Sequence, residues 1–151
     1  MLRQLECYGE AATDYEEMVR LGSKGVVFSE WSSSLVAAGD LEQYRQRCRE
    51  FLDRYADDAD AEMAVTLAAM CALAPDAVED WQRPFELAER GMAAGNIGPG
   101  KSDPFAWLLY RSGKYEEAAT RLAEAPESDN GRVEATRRLW LAMSRFQLHQ
   151  S

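Results

Sequence analysis

The amino-acid sequence predicts an all-α domain of about eight helices. Three observations lead to this prediction: apolar residues recur at intervals of three and four, β-branched residues alternate nowhere for long, and one turn signature occurs twice, around Gly39 and around Gly113. With 151 residues the chain is long enough for one continuous hydrophobic core, so we expect a single domain over residues 1–151.

Local signals define the first four helices. An apolar stripe predicts a leading helix over residues 1–22, and its members are Leu5, Tyr8, Ala12, Tyr15 and Val19. The second helix ends at Gly39, and Asp40 is placed to cap the third. The fourth helix is apolar on nearly all sides, which predicts a central, buried position. Helices two to four are expected over residues 26–38, 41–55 and 61–74.

The second half of the sequence contains four more helices. Pro84 lies near the start of the fifth, where a missing N–H costs little. Ser102 or Asp103 is placed to cap the sixth helix, which Gly113 ends, and the polar turn 126–131 separates the last two. Short connections favour antiparallel neighbours. Helices five to eight are expected over residues 80–92, 104–112, 114–125 and 132–149.

An internal repeat is visible when Gly39 is aligned with Gly113. The offset of 74 residues also brings Trp31 onto Phe105, which suggests two units of about 37 residues. A bulky residue followed by a small one recurs at spacings of 36, 38 and 36, in Trp31-Ser32, Leu67-Ala68, Phe105-Ala106 and Leu141-Ala142. The small residue lets two helices approach closely. We therefore expect units over about 26–60, 61–98 and 99–130, and the start of a fourth over 132–151.

The third unit resembles the tetratricopeptide repeat family. Its segment Ser112-Gly113-Lys114-Tyr115-Glu116-Glu117-Ala118 is typical of such repeats. The resemblance implies a right-handed α-α superhelix, a solenoid of stacked helical hairpins. A narrower resemblance, carried by Ala38-Gly39-Asp40-Leu41 and by Cys71-Ala72-Leu73-Ala74-Pro75-Asp76, is to repeat regions of large bacterial kinase and WD40 proteins of the planctomycete type.

The family resemblance implies a non-enzymatic module that binds a peptide or protein segment in a concave groove. By the family's register, the groove positions are Ser29, Ser33, Val65, Ala69, Ala72, Asp103, Trp107, Tyr110, Arg111 and Met143. Trp107, Tyr110 and Arg111 are of the types that dominate binding hot spots, and packing between units is the alternative role for the two aromatic residues. Substituting Trp107 and Arg111 by Ala is expected to abolish partner capture with little change in melting temperature.

A second function remains open at this stage. The chain could be a regulatory or oligomerisation segment of a larger bacterial signalling protein associated with a Ser/Thr kinase. The predicted eighth helix carries Leu139, Trp140, Met143 and Phe146, which would leave apolar surface in an unfinished fourth unit. This surface predicts a homodimer formed through the C-terminal helix.

Charge and cysteine content exclude other classes of function. A net charge of −9 argues against a nucleic-acid partner, because phosphate contact needs a basic face. No apolar stretch is long enough to cross a membrane. Cys7, Cys48 and Cys71 are widely spaced and odd in number, which indicates free, buried thiols in a reducing compartment such as the cytoplasm.

No constellation of residues predicts catalysis, a metal or a cofactor. His149 is the one histidine and has no neighbouring ligand type. Residues 95–102 match the letters of the phosphate-binding pattern GxxxxGKS, but they follow a predicted helix instead of a buried strand. A nucleotide-dependent enzyme is therefore the least favoured hypothesis.

Overall fold

The structure, a computed structural model, describes residues 2–22, 25–95 and 103–150, and the side chains from residue 7 onward within those ranges. The described residues form eight α-helices and no strand, which confirms the predicted all-α class. The helices are α1 (Leu2–Arg20), α2 (Val26–Ala38), α3 (Leu41–Tyr55), α4 (Ala61–Cys71), α5 (Gln82–Ala93), α6 (Pro104–Arg111), α7 (Tyr115–Glu124) and α8 (Gly131–Leu148).

Short polar side chains begin four of these helices. Asp40, Asp60 and Asp103 accept hydrogen bonds from backbone N–H groups in the first turns of α3, α4 and α6, at 3.0, 2.8 and 3.3 Å. Asn130 does the same at the start of α8. Each cap satisfies N–H groups that have no partner inside the helix, so the chain itself determines where these helices start.

Each helix contacts helices that are close to it in sequence. The pairs α2–α3, α4–α5 and α6–α7 are in contact, and α2, α4, α6 and α8 contact one another in succession. The helices α3, α5 and α7 also contact the helix that follows them, and α1 packs on α2. Four helices surround α4, which confirms its predicted central position.

The core is continuous from α2 to α6 and combines aromatic and small side chains. Phe28 of α2 stacks on Phe51 of α3 with ring centroids 4.2 Å apart. The small residues Ser32, Ala68 and Ala106 are fully or almost fully buried where their helices meet, as the repeat predicted. Ala142, their fourth counterpart, is exposed on α8.

The two glycine turns have the same geometry. Gly39 and Gly113 both have φ of 82°, a left-handed conformation that favours glycine. After Gly39, the N–H of Asp40 donates to the carbonyl of Leu35 at 3.0 Å. After Gly113, the N–H of Lys114 donates to the carbonyl of Leu109 at 2.9 Å. Both are Schellman caps, made entirely by local backbone groups.

A second contact recurs at the same 74-residue offset. The guanidinium of Arg47 lies 4.9 Å from the ring centroid of Trp31. The guanidinium of Arg121 lies 4.8 Å from the ring centroid of Phe105. Because Arg47 and Arg121 were not part of the sequence alignment, this match is independent support for the repeat.

The connection between α4 and α5 differs from the prediction. We expected α4 to continue to Ala74, whereas it ends at Cys71, and α5 begins at Gln82. No glycine lies in this connection, and Asp76 has a positive φ of 56°. The helix ends early because backbone groups of residues 72–74 bond to side chains from other helices.

Cysteine burial was predicted in part. Cys48 and Cys71 are buried and free, but Cys7 is exposed on α1, so the expectation of three buried thiols was wrong at that position.

Among the helices within the described ranges, none combines the length and apolar character needed to cross a membrane.

Candidate partner-binding surface

The sixth helix presents the three residues that were the leading binding candidates. Pro104 opens α6 next to the Asp103 cap, and its fixed φ suits the first turn of a helix. Trp107, Tyr110 and Arg111 are each half-buried on this helix. Their spacing of three and four places them along the side of α6 that meets α4 and α8.

The two aromatic candidates pack against the eighth helix. Trp107 stacks on Trp140 with centroids 5.7 Å apart and an interplanar angle of 17°. Tyr110 meets the same Trp140 ring edge-on at 5.2 Å and also meets Tyr115 at 5.2 Å. The two rings therefore pack between units, which was the alternative to a role in binding. Binding of a partner through their exposed portions stays a prediction.

Arg111 bonds to the end of the fourth helix. Its Nε donates to the carbonyl of Ala72 at 2.9 Å, and its Nη2 donates to that of Leu73 at 2.8 Å. Its guanidinium also lies 5.2 Å from the ring centroid of Trp140. These carbonyls lie just beyond the C-terminus of α4, where the negative end of the helix dipole lies, so a fixed cation beside them is favourable.

Burial and hydrogen bonding make Arg111 partly structural. Burial lowers the pKa of its guanidinium from the ordinary value, although an arginine remains charged at neutral pH. Two of its five N–H groups bond to carbonyls of the described residues, which leaves three for another acceptor. The earlier expectation that Arg111→Ala leaves the melting temperature unchanged therefore does not fit this geometry.

Tyr44 of α3 bonds to the same connection. Its buried hydroxyl donates to the carbonyl of Met70 at 2.9 Å and accepts from the N–H of Ala74 at 3.2 Å. Burial raises the pKa of this phenol far above its ordinary value, so it stays protonated and able to donate. Tyr44 on α3 and Arg111 on α6 thus hold the chain from Met70 to Ala74 between them.

Asp103, another predicted groove residue, bonds to groups of the protein itself. Its carboxylate caps α6 and accepts from Arg121 at 2.7 and 3.2 Å. The Asp103 side chain is 22% exposed. Its contacts describe a structural ion pair that ties α6 to α7.

The remaining predicted groove residues lie on successive helices. Ser29 is half-buried and Ser33 is exposed on α2, and Met143 is half-buried on α8. On α4 between them, Val65 and Ala69 are half-buried, whereas Ala72, just beyond the end of α4, is buried and offers no groove surface. Contacts join α6 to α8 directly but reach α2 only through α4, so the two serines are not part of the aromatic cluster.

Sequence reasoning missed the central member of this cluster. Trp140 contacts Trp107, Tyr110 and Arg111, yet it was treated only as one apolar residue of the eighth helix. The sequence offers no direct signal for these contacts, because they join residues about 30 positions apart on different helices. We define the Trp140 cluster as Trp107, Tyr110, Arg111 and Trp140.

A second surface lies where α3 meets the α4–α5 connection. A cleft of about 670 Å³ is lined by Arg45, Arg49, Asp76, Val78, Glu79 and Trp81. Arg45 approaches Asp76 at 3.8 Å, and its buried Nε has no hydrogen-bond partner among the described residues. Two carboxylates offset two guanidinium groups here, so the cleft has no excess charge to select an anion.

The comparisons with protein-family models, curated proteins and solved structures gave no match. Within the described ranges, no three His, Cys, Asp or Glu side chains are grouped as metal ligands. The GxxxxGKS segment has only its first residue, Gly95, in the described part of the chain, and residues 96–102 lie outside it.

Proposed function

We propose that this chain is a non-enzymatic protein-interaction module whose helical hairpins stack as a right-handed superhelix of the tetratricopeptide type. Under this proposal, a peptide or protein segment binds along the groove formed by α2, α4, α6 and α8. The proposal includes a cytoplasmic location and a bacterial source. It requires no cofactor, nucleic acid or membrane.

Repeated geometry supports the stacked arrangement. The glycine turns at Gly39 and Gly113 share one φ value and one hydrogen-bond pattern, and the arginine–aromatic contacts recur at the same offset. The helices α2, α4, α6 and α8 contact one another in succession. Repeats that contact only their neighbours are what a solenoid requires.

The observation that carries the binding function is the half-buried Trp140 cluster. It combines aromatic surface with a guanidinium that retains three N–H donors, on two of the helices that would line the groove. Aromatic and arginine side chains supply most of the energy at protein interfaces. The cluster could therefore anchor an extended segment that offers a carbonyl or carboxylate.

A peptide selection tests this proposal directly. Random peptides displayed on phage would be selected on the immobilised chain, and the affinity of each synthetic peptide would be measured by fluorescence anisotropy. Trp107→Phe retains stacking with Trp140 but removes part of the exposed ring. We expect it to weaken the selected peptides about tenfold.

Trp81→Phe is the matched control, because Trp81 is also half-buried but lies in the cleft beside α3. We expect this variant to bind the selected peptides like the unsubstituted chain. Peptides that respond to Trp81→Phe but not to Trp107→Phe would refute the groove, and a selection that enriches no peptide would refute peptide binding.

The second candidate function is a regulatory or oligomerisation segment of a larger signalling protein. One observation favours it: Leu139 and Phe146 on α8 are each 59% exposed, so this helix presents apolar surface. Self-association through α8 would use that surface. It makes no use of the Trp140 cluster, so the two functions are separable by substitution.

A further inference from the structure

The eighth helix presents a continuous apolar stripe to solvent. Ala135, Leu139, Ala142 and Phe146 are spaced by four, three and four residues, which places them on one face of α8. All four are exposed. Such a face on a terminal helix needs an explanation, because exposed apolar stripes commonly mark contacts with another chain.

The repeat indicates that a helix fits on this face. Ala142 is the counterpart of Ser32, Ala68 and Ala106, which are buried at 1, 0 and 0% exposure. Their helices α2, α4 and α6 are each covered by the next helix, α3, α5 or α7. Ala142 is exposed on α8, so the matching position of this helix is not covered by another helix among the described residues.

The first helix has the complementary position. It packs on α2 as α3, α5 and α7 pack on α4, α6 and α8. Its solvent side carries a shorter apolar stripe, with half-buried Ala11 and exposed Met18 at a spacing of seven, and Leu21 extends this stripe just beyond the end of the helix. Asp14 lies between Ala11 and Met18 and interrupts the stripe. Met18 and Leu21 are 41 and 73% exposed.

The charges of the two helices are opposite. The helix α8 contains four arginines and one glutamate, which give it a net charge of +3, although the whole chain has a net charge of −9. In α1 five carboxylates stand against two arginines, a net charge of −3. Arg138 and Arg145 flank the α8 stripe at a spacing of seven, and Glu10 and Glu17 flank the α1 stripe at the same spacing.

We propose that α8 of one copy docks on α1 of a second copy, so that the two helices form a hairpin between chains and continue the stack end to end. Apolar stripes would meet at the centre and opposite charges at the edges. Pairing of α8 with α8 would instead bring two +3 helices together, and pairing of α1 with α1 two −3 helices. A head-to-tail contact of this kind does not close at two copies.

The proposal concerns self-association and does not depend on peptide binding by the Trp140 cluster. Leu139→Glu/Phe146→Glu blocks α8, and Met18→Lys/Leu21→Lys blocks α1. All four positions are at least 41% exposed, so the variants are expected to keep the circular dichroism spectrum and melting temperature of the unsubstituted chain. Masses are measured by sedimentation and light scattering.

Head-to-tail docking predicts one pattern of masses. The unsubstituted chain should form species larger than two copies as concentration rises in the micromolar range. Each blocked variant alone should remain at the monomer mass of 17.0 kDa. An equimolar mixture of the two variants should form a heterodimer and nothing larger, because each supplies one intact end.

Other patterns would overturn the proposal. A monomeric unsubstituted chain would remove self-association. A variant blocked at α1 that still forms homodimers would show α8–α8 pairing, and a mixture of blocked variants that stays monomeric would show that the two faces do not meet.

A charge exchange gives a second test that leaves both apolar stripes intact. Arg145→Glu and Glu10→Arg change exposed residues at the edges of the stripes that have no ion pair among the described residues. Each should weaken association about threefold to fivefold at low salt, and mixing the two variants should restore it between the altered ends. Loss without restoration would refute charge pairing between α8 and α1.

Discussion

The connections of this protein keep their shape in two different ways. The turns at Gly39 and Gly113 are closed by their own backbone groups, with a glycine at φ of 82° in each. The connection from Met70 to Ala74 has no glycine and is held by Tyr44 from α3 and Arg111 from α6. A glycine turn can form by itself, whereas the middle connection requires its neighbours to be folded.

This difference assigns a structural role to two residues that look unrelated in the sequence. The backbone groups of residues 70–74 must find partners, because unpaired buried polar groups are costly. Tyr44 on α3 and Arg111 on α6 provide those partners. The middle unit should therefore depend on both adjacent units for its stability.

The largest expected effect is at Tyr44. Tyr44→Phe keeps the ring but leaves the buried carbonyl of Met70 and the N–H of Ala74 without the hydroxyl. We expect a loss of about 2 kcal/mol in the free energy of unfolding, measured by urea denaturation. Tyr8→Phe on the exposed face of α1 is the control and should change stability by less than about 0.5 kcal/mol. An equal effect of the two substitutions would contradict the role of the hydroxyl.

Arg111 should have the next largest effect. Arg111→Lys keeps the charge but cannot bond to both Ala72 and Leu73 in the same fork geometry, so we expect a loss of about 1–2 kcal/mol. Arg49→Lys, at an exposed arginine, is the matched control and should be nearly neutral.

The double variant sharpens this prediction. Tyr44 and Arg111 serve one connection, so their effects should depart from additivity by at least about 0.5 kcal/mol in a double-mutant cycle. Strict additivity would mean that the two side chains do not hold the connection jointly.

The glycine turns should respond independently of each other. Gly39→Ala and Gly113→Ala introduce a Cβ that meets no atom within 4 Å, so the cost is that of the left-handed backbone, about 1 kcal/mol each. The two losses should add, since the turns share no partner. Gly9→Ala within α1 also meets no atom, but it is expected to stabilise the chain by about 0.5 kcal/mol or more. A large difference between Gly39→Ala and Gly113→Ala would show that the two turns are not equivalent.

The smallest effect is expected at the start of α8 and depends on pH. Hydrogen bonds from Arg137 and Arg138, both at 2.6 Å, lower the pKa of Glu134 to about 2. A folded-state pKa below the ordinary value of 4.5 means that the stabilisation is fully present above pH 4.5. It is lost as pH falls toward 2.

Glu134→Gln should therefore be less stable than the unsubstituted chain at neutral pH, and this difference should shrink between pH 4.5 and 2 in thermal denaturation. Glu127→Gln is a control, because Glu127 is more exposed and reaches Arg138 only at 3.5 Å. A stability difference for Glu134→Gln that is constant across this range would contradict the ion-pair explanation.

Much of the fold could be predicted from the sequence, because its signals are local. Asp40 and Asp103 cap the helices that they were expected to cap, and Gly39 ends the predicted helix. The error at the end of α4 has a physical reason. Residues 72–74 are compatible with helix, but their backbone groups bond to side chains from α3 and α6.

The candidate site was less predictable for the same reason. Periodicity indicated that Trp107 and Tyr110 share one side of a helix, but it gave no information on what that side contacts. Trp140, which contacts both rings, lies on α8. The sequence predicted that Asp103 caps α6, but it did not predict the ion pair of Asp103 with Arg121.

The eight helices, the two glycine turns and the 74-residue offset between them follow from local signals in the sequence, because hydrophobic periodicity, caps and left-handed turns depend on neighbouring residues. The packing of the helices is needed to show that Tyr44 and Arg111 hold the middle connection and that Trp140 joins α8 to α6. These contacts join residues that lie 26 to 39 positions apart in the sequence, so their geometry depends on how the helices pack.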